Sequence, residues 1–194
     1  VVFEMEDTGK RNLQGLDKPI LDSLGIDKNK PEKQQRNQTG SPILEEGDIL
    51  LNTTLAETND WQQVDLPVVR TLRHFCIETL SSYTEDNQAC ISEVDLLDDK
   101  GQPIDKTKWE VVYVSSEQAD KNLGVAENLF DGDISSFWHT DPATEPGQPH
   151  RIIVDIKEIY KISALRFKVR KGAFLSGKVK EINVYGRPQF FLFH

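Results

Sequence analysis

Ala126-Glu127-Asn128-Leu129-Phe130-Asp131-Gly132-Asp133-Ile134-Ser135-Ser136-Phe137-Trp138-His139-Thr140 is the stretch around which the chain is organised. Asp131-Gly132-Asp133 is a tight turn rich in hard oxygen donors, and Ser135 and Ser136 add hydroxyls beside it. Gly132 lets the backbone turn so that several carbonyls face one point. Carboxylates, hydroxyls and carbonyls gathered this way suit calcium, which takes six to eight oxygens in a loose shell. The same three residues also suit a plain solvated turn. Trp138-His139-Thr140 then sets a large ring, an imidazole and a hydroxyl side by side.

Working outward, 194 residues suffice for one sizeable domain or for a domain with an appendage. Asp and Glu outnumber Lys and Arg by 32 to 23, a net charge of −9. That balance argues against a nucleic-acid partner, which needs a basic face, and against an anionic membrane surface. No apolar run reaches the length of a membrane-spanning helix, so no membrane insertion is expected. The sequence opens without a signal peptide, as a mature chain or an excised piece would. Cys76 and Cys90 are not in a Cys-x-x-Cys pair, so a zinc or redox motif is not indicated. They read either as a disulfide between neighbouring strands or as two small buried hydrophobes.

Residues 1–46 are polar and charged, broken by Pro19, Pro31 and Pro42, with a short apolar opening at Val1 to Met5 that suits a strand and a helical turn at Pro19 to Leu24. They read as a polar extension, or the remainder of a neighbouring domain. From residue 47 the pattern changes to short strands. Trp61 to Leu66 alternates, and Leu72 to Leu80 places Leu72, His74, Cys76 and Glu78 on one side and Arg73, Phe75, Ile77 and Thr79 on the other. Ala89 to Leu97, Trp109 to Val114, Arg151 to Ile156, Ile162 to Arg170 and Lys178 to Tyr185 follow. The tail Phe190-Phe191-Leu192-Phe193 is apolar enough to pack. Regular short strands without a long helix predict an all-β fold, an antiparallel β-sandwich or jelly roll over residues 47–194 with an N-terminal extension.

The run Asn128-x-Phe130-Asp131-Gly132-Asp133-x-Ser135-Ser136-x-Trp138-His139-Thr140 resembles the discoidin domain, also called the coagulation factor 5/8 type C domain. This galactose-binding-like fold is shared by family 32 of the carbohydrate-binding modules and by fucose-binding lectins. Pro149-His150-x-Ile152-x-Val154-Asp155-Ile156, Ile162-Ser163-Ala164-Leu165-Arg166-Phe167 and Gly177-Lys178-Val179-Lys180-Glu181-Ile182-x-Val184-Tyr185 are similar to the strands that follow in that family. Two strands that usually close the domain come first here: Arg73-His74-Phe75-Cys76-Ile77 and Ala89-Cys90-Ile91-Ser92-Glu93-Val94 resemble them. A circularly permuted sandwich explains this order, because old termini that lie close together can be joined. A truncated first domain followed by an incomplete second is the alternative, and it would expose sheet edges.

The resemblance implies a structural calcium on the loop. Asp131 would give a carboxylate, Asn128 and Asp133 backbone carbonyls, Ser136 a carbonyl or hydroxyl, and Glu93 would close the shell. It also implies a sugar site built on His139 and Arg170, with Phe174 or Trp138 against a ring face and Lys178 nearby. The lectins' usual Gly, Asp and second basic residue are not kept at Lys171-Gly172-Ala173-Phe174. Trp138 also reads as core, and His139 with Arg170 as braces between loops.

These features indicate a non-catalytic, calcium-stabilised carbohydrate-binding module that takes a glycan or terminal sugar. Its parent would be an exported or surface glycan-handling protein, at an extracellular, periplasmic or cell-surface location. A C-terminal fragment of a glycoside hydrolase is a second reading, although no paired carboxylates stand out. A protein- or lipid-binding adhesion domain, using Phe137 or Phe174 as apolar spikes, is a third.

Overall fold

The computed structural model describes residues 40–84, 86–143, 147–169 and 176–194. The strand expected at Val1 to Met5, the turn at Pro19 to Leu24, and Arg170 and Phe174 lie outside the described residues. The described residues form ten strands: β1 (Pro42–Ile43), β2 (Ile49–Thr54), β3 (Trp61–Thr79), β4 (Cys90–Ile91), β5 (Glu93–Asp98), β6 (Glu110–Val114), β7 (Trp138–His139), β8 (His150–Lys168), β9 (Glu181–Arg187) and β10 (Leu192–Phe193). All of their ladders are antiparallel. Among the described residues the only helical segments are single 3₁₀ turns, at Glu46–Asp48, Asp120–Asn122 and Ala126–Phe130. The fold is the all-β sandwich that the alternation predicts.

Two long strands make both layers. The sequence predicts separate strands at Trp61 to Leu66 and Leu72 to Leu80, and again at Arg151 to Ile156 and Ile162 to Arg170. In the structure each pair is one continuous strand, β3 and β8, and the two run together along their length. The register slips between Asp65 and Arg70, where Pro67 has no N–H to give to a ladder. Lys157 takes φ +71 in the middle of β8. Bulges of this kind let a strand turn a corner and enter a second sheet. One half of the ribbon, His74–Thr79 with His150–Asp155, is flanked by β9, β2 and β6. The other half, Trp61–Asp65 with Ala164–Lys168, is flanked by β5. The layers are thus five and three strands wide.

The space between them is filled by Phe75, Ile77, Ile152, Val154, Ile182 and Val184 from the wide layer and Val94, Leu96, Leu165 and Phe167 from the narrow one. Phe167 is fully buried, and deleting a side chain of that size costs about 3–5 kcal/mol. A second bulge, between Leu72 and His74, corrects the predicted facing. Leu72 joins Phe75 and Ile77 in the main core rather than His74 and Cys76. Cys76 instead packs outside the wide layer with Tyr113, Ile153, Tyr185 and Phe191.

Cys76 and Cys90 are both buried and not bridged to each other, so the disulfide alternative falls and the small-hydrophobe reading stands. Burial pushes the Cys76 thiol far up, so it has no thiolate to react. The apolar tail divides: Phe191 is buried, while Phe190 and Leu192 remain exposed. Residues 42–43, which the sequence assigns to the polar extension, pair with the tail as β1 with β10. One end of the sandwich is closed by β4 with β7, where Cys90 faces His139 and Ile91 faces Trp138.

Candidate functional site

The 3₁₀ turn Ala126–Phe130 anchors the loop by burying Ala126, Leu129 and Phe130 in the core. Glu117 accepts the Ala126 N–H at 2.9 Å, which fixes where the turn starts. The Asn128 side chain is buried and donates to the Phe137 carbonyl at 3.0 Å, tying one end of the loop to the other. Between these ends the chain needs a left-handed residue, and Gly132 supplies it at φ +82. Asp131 accepts the Asp133 N–H and Asp133 accepts the Ser135 N–H, each at 2.9 Å, so each carboxylate holds its own turn.

The oxygens expected to bind an ion converge on one hydroxyl. Ser136 Oγ lies 2.9 Å from both carboxylate oxygens of Asp131, 2.9 Å from the Asp133 carbonyl and 3.4 Å from the Asn128 carbonyl. A hydroxyl has one proton, so it satisfies one of these acceptors at a time. These oxygens thus lie around one centre, an arrangement that suits a hard cation. Among the described residues no three His, Cys, Asp or Glu side chains are grouped to hold a metal. The donor set is instead mainly carbonyls, one hydroxyl and one carboxylate, which fits calcium better than a transition metal.

Glu93 arrives from β5, on the narrow layer. Its Oε1 accepts the Gly132 N–H at 2.8 Å, so the residue lies directly beside the loop despite 39 positions of separation. Its Oε2 is held by the Lys106 ammonium, which also donates to Asp95 Oδ1 at 2.7 Å. Arg166 completes the chain on Asp95 Oδ2 at 2.5 Å. Burial pushes the Glu93 carboxyl up to about 7, against the pull of Lys106 and the Gly132 N–H. Asp131 adds to the rise through like charge.

The imidazole sits just past the loop. His139 is buried, with Nδ1 2.5 Å from the Thr140 carbonyl and Nε2 2.7 Å from Ser176 Oγ. A carbonyl only accepts, so Nδ1 carries a proton, and with that proton alone on the ring Nε2 accepts from the Ser176 hydroxyl. The backbone here has no slack: a Cβ on Gly124 would lie 2.9 Å from His139 Cβ. Thr140 is tied to Ala89 through N–H to carbonyl at 3.0 Å, and its hydroxyl donates to Gln88 at 2.6 Å.

The other expected sugar residues fare differently. Lys178 bridges Cys90 on the side opposite His139, and its ammonium lies 3.5 Å from Glu57. Trp138 is fully buried, and its indole N–H donates to the Ser116 carbonyl at 3.0 Å. It has no face for a ligand, which corrects its expected sugar contact: it is the core reading of Trp138 that holds. Phe137 is likewise buried, so it is no surface spike.

Lys106 and Ser176 are the residues that sequence reasoning missed. Lys106 sits in a polar loop and finds Glu93 only after β5 and the loop fold together. Ser176 precedes Gly177, whose N–H bonds to Thr84 and Asp86 pin it against Ala89. Neither position carries a local signal.

Comparison with known proteins finds a family match to this part of the chain and a similar protein. Over 84 residues the chain is 33% identical to a protein named sialidase from Micromonospora viridifaciens. The alignment covers 42% of this chain, and the chain spans 13% of that relative's length. The family model of the F5/8 type C domain matches residues 111–189. The strands β3 and β5, which precede that segment, pair with β8 and β9 inside it. The matched residues 111–189 hold the oxygen-rich loop, His139 and the strands β7 to β9, and the F5/8 type C (discoidin) model that they match is the one to which the sequence motifs point.

Proposed function

We propose that this chain is a non-catalytic carbohydrate-binding module, stabilised by calcium and carried by an exported or surface protein that handles glycans. The observation that carries the reading is the pairing of His139 Nε2 with the Ser176 hydroxyl at 2.7 Å. A serine hydroxyl is the same functional group as a sugar hydroxyl. Ser176 therefore holds the hydrogen-bonding position that a terminal sugar would take, and it must yield when the sugar enters. Nε2 would accept from one hydroxyl, and Arg170, on the segment that leads to Ser176, would donate to its neighbour. Calcium on the loop would fix the backbone that presents His139. Asn128, Asp131, Asp133 and Ser136 would hold the ion, with Glu93 beside them.

The relative named a sialidase supports a parent protein that acts on glycans, in which this segment would serve to hold the enzyme on its substrate. The same reading takes the chain to be circularly permuted, with β3 and β5 standing in for strands that usually follow. No helix among the described residues is long and apolar enough to cross a membrane.

The test is a glycan array followed by calorimetry of the best ligand. The expected dissociation constant is micromolar to millimolar, on the order of −8 to −4 kcal/mol. His139→Ala and Arg170→Ala should each weaken binding at least tenfold, about 1.4 kcal/mol. Equal binding by all three proteins would remove this site from the molecule.

A further inference from the structure

We propose that Lys106 is a built-in counter-ion that opposes cation binding at the Asn128–Ser136 loop, acting through Glu93. The inference rests on the calcium reading of that loop and extends it to a residue outside the ligand set. Glu93 has two carboxylate oxygens, and both are engaged. The Gly132 N–H takes Oε1 at 2.8 Å and the Lys106 ammonium takes Oε2. An ion that binds Glu93 directly would share these oxygens with the two partners, and of the two it is the Lys106 ammonium whose charge opposes it.

The surroundings make Lys106 hard to dislodge. Its side chain is 17% exposed, and its Nζ also reaches Asp95 Oδ1 at 2.7 Å and the Val94 carbonyl at 3.3 Å. Arg166 holds the other oxygen of Asp95. The path Arg166–Asp95–Lys106–Glu93 is therefore neutral, and it ends on the amide of the loop's central residue. Glu93 acts here as a latch on the turn rather than as a free ligand. Lys106 keeps that latch in place when the ion is absent, and it is the positive charge that a divalent ion on the loop would face. Charge neutrality along this path is reached without the ion.

Two effects follow, with one sign. Removing the ammonium removes a repulsion, and it leaves Glu93 in need of a counter-charge that calcium can supply. Lys106→Met should then bind calcium more tightly than the wild type. Couplings between two such sites run from about 5- to 150-fold, and we expect a shift within that range. By reciprocity, calcium should loosen Lys106 in the wild type.

The experiment is a titration of each purified protein with calcium chloride at mildly alkaline pH, read by competition with a chromophoric chelator and by thermal midpoint. Wild type, Lys106→Met, Asp131→Ala and the double variant Lys106→Met/Glu93→Gln are compared. Tighter binding by Lys106→Met, with the double variant back near the wild type, is the expected result. A wild type that binds nothing while Lys106→Met binds also supports the proposal. Equal or weaker binding by Lys106→Met overturns it, as does binding by neither. Should Lys106→Met fail to fold, the double variant, which leaves no buried charge uncompensated, decides. Binding many-fold weaker than the wild type overturns the proposal, and binding near the wild type sustains it. The two readings part at Asp131→Ala. If that variant binds as tightly as the wild type, the ion is elsewhere and the calcium reading of the loop fails. If it loses the ion while Lys106→Met is unchanged, only the role of Lys106 fails.

Discussion

Two buried carboxylates, one on each layer of the sandwich, are handled in opposite ways. Asp155 lies on β8 in the wide layer and Glu93 on β5 in the narrow one, and each is at most 2% exposed. Arg73 meets Asp155 with a fork, Nε to Oδ1 at 2.9 Å and Nη2 to Oδ2 at 3.0 Å. The Lys157 N–H adds a bond at 2.7 Å, and the Lys157 ammonium lies 3.3 Å away. His74 Nε2 completes the surroundings at 3.6 Å. Glu93 has one ammonium and one amide. Burial works to raise both carboxyls. At Asp155 the Arg73 fork and the Lys157 N–H overcome it and hold the group well below the usual range. At Glu93 burial prevails.

The difference shows how a carboxylate is used. A rigid guanidinium fork matches a carboxylate geometrically and fastens it permanently, while an ammonium is a point charge on a flexible stem. Asp155 joins β8 to β3 and serves the fold. Glu93 ends on a loop amide and is left poised, which suits a residue beside an ion site.

The contrast breaks most visibly at Asp155. Asp155→Ala strips the fork and the Lys157 N–H of their acceptor, and should lower stability by about 2–4 kcal/mol in denaturant titrations. The pH dependence has a defined sign. The folded carboxyl is held down, so its contribution is present above the unfolded value near 3.8 and is lost as pH falls through the lower folded value. Wild type should therefore lose stability in acid more steeply than Asp155→Asn. Parallel acid limbs for the two proteins would show that the fork does not set this carboxyl.

The next effect belongs to the loop. Calcium at a hundredfold excess over its dissociation constant should stabilise the wild type by about 2.7 kcal/mol. Asp131→Ala should lose that increment, since Asp131 is the carboxylate at the centre of the converging oxygens. A thermal midpoint that rises with calcium equally in both proteins would place the ion elsewhere.

Which parts were legible in the sequence follows from how local each feature is. The oxygen-rich turn was readable because Asp131, Gly132, Asp133 and Ser136 act within one turn of chain. The sandwich was readable because alternation has a fixed period. The joining of four expected strands into β3 and β8 was not, because Pro67 and Lys157 look like ends when only the local pattern is seen. A bulge keeps the strand and shifts its facing, as Leu72 shows. Glu93 was read only through the family pattern. Lys106 and Ser176 were invisible, because each finds its partner across a fold: Lys106 from a polar loop, Ser176 from 37 positions away.

The smallest expected effect is the sharpest test of the contrast. Glu93→Gln keeps an amide oxygen to accept the Gly132 N–H and removes a charge that burial makes costly. It also leaves Lys106 with Asp95, so the ammonium keeps a partner. In the presence of chelator the gain and the loss should nearly cancel, within about 1 kcal/mol of the wild type, because replacing a buried charge pair is often close to neutral. Asp155→Asn should cost more, since a forked guanidinium loses its full counter-charge. With calcium added, Glu93→Gln should gain less stability than the wild type, because the ion then faces a lysine whose charge is only shared with Asp95. Thermal midpoints of the two proteins with chelator and with calcium give all four numbers. A loss at Glu93 as large as the loss at Asp155, measured in chelator, would mean that both carboxylates are simply structural. The division between a fastened layer and a poised one would then fall.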